Sequence, residues 1–83
     1  PQWHTAISIA NNSPVNHGLQ HGIENLVHLP QDIEVVRHQS VDLLKQWREE
    51  TRSILYPALE SGWTITGMAN QEAYIITPPK DGS

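Results

Sequence analysis

The chain has no cysteine and no phenylalanine, and charged side chains make up only 17% of its 83 residues. Without thiols there is no disulfide framework to brace a small domain, and no thiolate chemistry. No run approaches the ~20 consecutive apolar residues that a membrane span needs, so no membrane partner is expected. The opening PQWHTAISIANN lacks both the basic lead and the apolar run of a signal peptide, which points to a cytoplasmic protein. Positive charge is scarce too. Nine acids against five bases leave a net charge of −4, an unfavourable balance for a nonspecific phosphate-binding surface, and nucleic acid is not expected as a partner.

What remains is 37% apolar, a balance that folds rather than stays disordered. A chain of this length buries only about 60–65% of its unfolded surface, so its core is thin. It reads as one small domain over residues 1–83, with 80–83 as a frayed tail.

Period-two alternation predicts a first strand over Trp3–Ala10, with Trp3, Thr5, Ile7 and Ile9 on one face. Asn11-Asn12-Ser13-Pro14 is expected to end it, because proline cannot continue a central ladder. The segment over about 18–29 reads either as a short helix, since Leu19, Ile23, Leu26 and Val27 group on one helical side, or as an arm of a hairpin, since Gly18 and Gly22 each cost a helix about 1 kcal/mol; the helix is the favoured of the two. The β-branched Ile33–Arg37 is expected to be a strand.

The strongest pattern lies over about 40–61. Leu43, Leu44, Trp47, Thr51, Ile54, Leu55 and Ala58 fall within an arc of roughly 120° at the helical period. Ser40 suits the N-cap and Gly62 the left-handed position beyond the C-terminus, while Pro57 should kink or split the last turns. After Gly62 the period returns to two. Residues 63–69 and 72–77 form a hairpin around Asn70-Gln71, closed by Pro78-Pro79. The fold class is α+β: a two-layer sandwich with a small, mostly antiparallel sheet and helices on one face.

Three features carry possible chemistry. Five histidines are many for 83 residues. If the helix extends over Pro14–Leu29, His17, His21 and Glu24 share a face and could hold a divalent transition metal, whereas His28 would lie about 16 Å along the axis from His17. The alternative is a solvated polar face. His4 and His38 have no local partner and read as structural. Lys45, Arg48 and Arg52 form a stripe beside Tyr56 on the long helix, but Asp42 and Glu49 lie within a turn and make a salt-bridged flank the better account.

Pro1 is the third. A free N-terminal proline is a secondary amine that a hydrophobic pocket can tune into a general base. Small tautomerases work this way, and a strand, a helix and a second strand resemble their opening unit over less than half the chain. That resemblance implies an enzyme acting on small enolisable acids.

The reading that covers most residues is non-enzymatic. A sheet covered on one side leaves an apolar face that self-association or a larger protein would cover. Trp63, Met68, Tyr74 and Ile76 are the candidate partner-binding residues, in a protein-interaction or regulatory module forming a homodimer or docking to a protein partner.

Overall fold

A computed structural model describes residues 2–30, 38 and 41–80. In chain order the elements are β1 (His4–Ala10), β2 (Ser13–Asn16), β3 (Asn25–His28), the helix α1 (Val41–Glu60), β4 (Thr64–Ala69) and β5 (Ala73–Thr77). The strands form one sheet in the order β2-β1-β3-β5-β4. Only β1 and β3 run parallel; the other three pairings are antiparallel. This is a small α+β fold, a five-stranded mixed sheet with one long helix among the described residues.

The segment expected to be a helix over 18–29 is instead a loop followed by β3. Gly18 and Gly22 sit at φ of 83° and 86°, values no right-handed helix contains. The fully buried Asn25 fixes the loop. Its Oδ1 accepts from the Gln20 amide at 3.0 Å, and its Nδ2 donates to the Gln20 and Ile23 carbonyls at 2.9 Å each. Those local bonds and the pairing of β3 with two neighbours outweigh the helical grouping of Leu19, Ile23, Leu26 and Val27.

Pro14 also departs from expectation. Asn11 and Asn12 take φ of 53° and 66°, which allows a two-residue turn and returns the chain as β2, with Ala10 opposite Ser13. Proline is tolerated there because β2 is an edge strand. The strand expected over Ile33–Arg37 and the N-cap at Ser40 lie outside the described residues, as do Pro1 and residues 81–83.

The long helix is observed as one uninterrupted element that contains Pro57. Its end is a Schellman motif: Gly62 at φ 95° donates to the Leu59 carbonyl, and the Trp63 amide donates to Ala58 at 3.0 Å. That geometry turns Trp63 back under the helix. The core joins Trp47, Ile54, Ala58 and Trp63 with Ile7 of β1, Val27 of β3 and Ile76 of β5. Burying such side chains stabilises by about 1.5–3 kcal/mol each.

Candidate interaction surface

Strict alternation in β1 and β4 fails at one residue in each. Against β3, Thr5 faces Leu26 and Ile7 faces Val27, so Ala6 is an extra residue. Because Leu26 and Val27 point to opposite faces, Thr5 parts company with Ile7, contrary to the expected single face. In β4 the shift falls at Thr66, with Ile65 opposite Ile76 and Met68 opposite Tyr74. Tyr74 and Ile76 are two apart and share a face. The bulge therefore puts Ile65 and Met68, three apart in sequence, side by side on the face where Ile76 meets the core.

The helix backbone runs closest to β2 and β1, at the far end of the sheet from β4. Ile65 and Met68 are 45% and 46% exposed. Thr64 and Thr66 are exposed as well, and β4 contains neither proline nor a charged residue. β4 is a terminal strand of the sheet, and among the described residues no strand pairs with its outer side. Its hairpin closes through Asn70 and Gln71 at φ of 52° and 58°, with the Glu72 amide donating to Ala69 at 2.9 Å.

The four partner-binding candidates divide. Met68 is exposed and Tyr74 is half-buried against the core. Trp63 and Ile76 are 3% and 0% exposed and belong to the core, so neither lines an open face. Ile65 was not singled out by alternation, which places it opposite Met68; Gly67 inside a strand is the signal that marks such a bulge.

His17, His21 and Glu24 are not brought together. His17 Nε2 lies 2.8 Å from Ser8 Oγ, and the His21 ring meets Trp63 edge-on at 6.3 Å between centroids. The Glu24 carboxylate accepts from Trp3 Nε1 at 3.3 Å and Thr77 Oγ1 at 3.0 Å. Among the described residues, no three His, Asp or Glu side chains are grouped to hold a metal ion. His4 Nε2 donates to the Gly18 carbonyl at 2.9 Å, consistent with a structural role, and His38 is exposed.

Grooves among the described residues include the following two. One, of about 640 Å³, runs past His21, Ser61, Trp63, Pro79 and Lys80. The other, of about 420 Å³, places Arg48 and Arg52 of the basic stripe beside Leu44, Leu55 and Tyr56. No helix among the described residues is long and apolar enough to cross a membrane. The strand-helix-strand opening on which the tautomerase resemblance depended is absent, since β1, β2 and β3 follow one another directly. In comparisons with known proteins, no family model, no curated protein and no solved structure matches the chain.

Proposed function

We propose that this domain is a non-enzymatic protein-interaction module that receives an extended polypeptide strand along β4. The observation that carries the reading is the uncharged outer edge of β4 beside exposed Ile65 and Met68. Sheet edges in soluble proteins are ordinarily blunted by lysine, proline or a covering element, because unpaired amides and carbonyls template further pairing. Here the bulge at Thr66 is present, but it turns two apolar side chains to the same side and so builds a patch next to those groups. Strand addition uses that combination: main-chain bonds supply affinity, and side-chain contacts supply selectivity.

The test is site-specific photo-crosslinking in cells, with the reactive side chain at position 68 and, as a control, at exposed Gln20. The expected result is a protein adduct at 68, mapped by peptide sequencing to a single strand of the partner, and none at 20. Equal labelling at both positions, or none at 68, overturns the reading.

A further inference from the structure

Resting on the interaction reading above, we propose that the strand received by β4 is β4 of a second copy, paired antiparallel about a two-fold axis between Thr66 and Gly67. Three observations select this occupant. First, the strand Thr64-Ile65-Thr66-Gly67-Met68-Ala69 carries no charge, so pairing it with itself brings no like charges together, although the chain as a whole is at −4. An acidic or basic peptide would find no counter-charge along it.

Second, the strand is self-complementary in that register. Ile65 of one copy faces Met68 of the other, twice, and Thr66 faces Gly67 twice. The bulge has already set Ile65 and Met68 on one side of the sheet, so both apolar pairs fall on the same face and cover each other's exposed halves. Pairing of this kind is isologous.

Third, the opposite edge is poorly suited to pairing. His17 donates its amide to the Ala6 carbonyl, which fixes the alternation of the β1–β2 ladder. Residues 13, 15 and 17 then bond inward, and the outward positions are Pro14 and Asn16. Pro14 has no amide hydrogen. The Asn16 side chain turns to the helix, donating to Glu50 Oε1 at 2.8 Å and Ser53 Oγ at 3.1 Å. A head-to-tail β4-to-β2 contact, which would propagate into a filament, is therefore disfavoured, and pairing closes at two copies with β2 at both ends of a ten-stranded sheet.

The native absence of cysteine allows a direct test of register. Purified Ile65→Cys and Met68→Cys proteins, distinguishable by mass, are mixed, equilibrated and oxidised. Facing residues in an antiparallel pair hold their Cβ atoms about 4.5–5.5 Å apart, near disulfide reach, whereas like residues in this register lie about 10 Å apart. The mixed disulfide should dominate, and native mass spectrometry of the unmodified chain should show a dimer that Met68→Lys converts to monomer without changing the circular dichroism. A dimer that survives Met68→Lys, predominance of like-with-like disulfides, or a monomer at the highest concentration sampled overturns the proposal. A monomer that still crosslinks to a different protein through position 68 removes the second copy while leaving the interaction module standing; absence of both removes the two together.

Discussion

The two edges of the sheet differ in exposure as well as in design: β2 is mostly buried or half-buried, whereas four of the six residues of β4 are exposed. β2 has four residues, one of them proline, and lies under the helix, with the Trp47 indole Nε1 donating to the Asn12 carbonyl at 2.8 Å. β4 has six residues, contains no proline, and lies at the far end of the sheet from the strands to which the helix runs closest. Among the described residues, one long helix serves five strands, and it lies over β2 rather than β4. The bare edge is where a small domain with a thin core gains most from a neighbour.

The contrast can be broken most severely from the helix side. Trp47→Ala should destabilise the domain by about 3–5 kcal/mol through lost packing and a stranded carbonyl, read as a fall in urea midpoint at constant slope. Amide exchange should accelerate more in β1 and β2 than in the β4–β5 hairpin; a uniform acceleration would show that the helix does not hold one edge selectively.

Gly62→Ala acts at the other end. An alanine there must keep φ near 95° and bring its Cβ to 3.3 Å from Pro79 Cβ. The expected cost is about 1–2 kcal/mol in equilibrium unfolding, with the start of β4 loosened. A loss below ~0.5 kcal/mol would mean that the helix terminus readjusts freely.

Smaller changes sharpen the distinction. Asn16→Ala removes the two bonds to the helix and should cost about 0.5–1.5 kcal/mol by the same measurement. Pro14→Val restores an outward amide to β2 and should add species larger than a dimer in light scattering, at modest cost to stability. Met68→Lys, on the exposed edge, should change the unfolding free energy by no more than ~0.5 kcal/mol at protein concentrations low enough that both proteins are monomeric, because the side chain is about half in water already. A cost of several kcal/mol would identify Met68 as core.

The long helix and the closing hairpin were legible because each rests on local chemistry. The arc of Leu43, Leu44, Trp47, Ile54 and Ala58 identifies the packed side of α1, and Gly62 marks its end. The hairpin around Asn70-Gln71 follows from alternation and from asparagine's tolerance of positive φ. Over 18–29 the sequence leaves helix and strand both open and favours helix, because the helical grouping is local, while β3 exists only through partners on β1 and β5 that are distant along the chain. Of the candidate surface, Met68 was identified but Ile65 was not. Alternation through Gly67 makes no allowance for a bulge and so sets Ile65 on the face opposite Met68, while Trp63 and Ile76 belong to the core because the helix end and the sheet pack over them.

By itself the sequence determined composition, the amphipathic helix and its stop, the turn-forming asparagines and the α+β class, since these depend on residues within a few positions of each other. Tertiary structure alone decided strand order, the two bulges, which edge the helix covers and hence which apolar side chains remain in contact with water. Those follow from pairing between segments remote in the chain, where a one-residue shift transfers every later side chain to the opposite face.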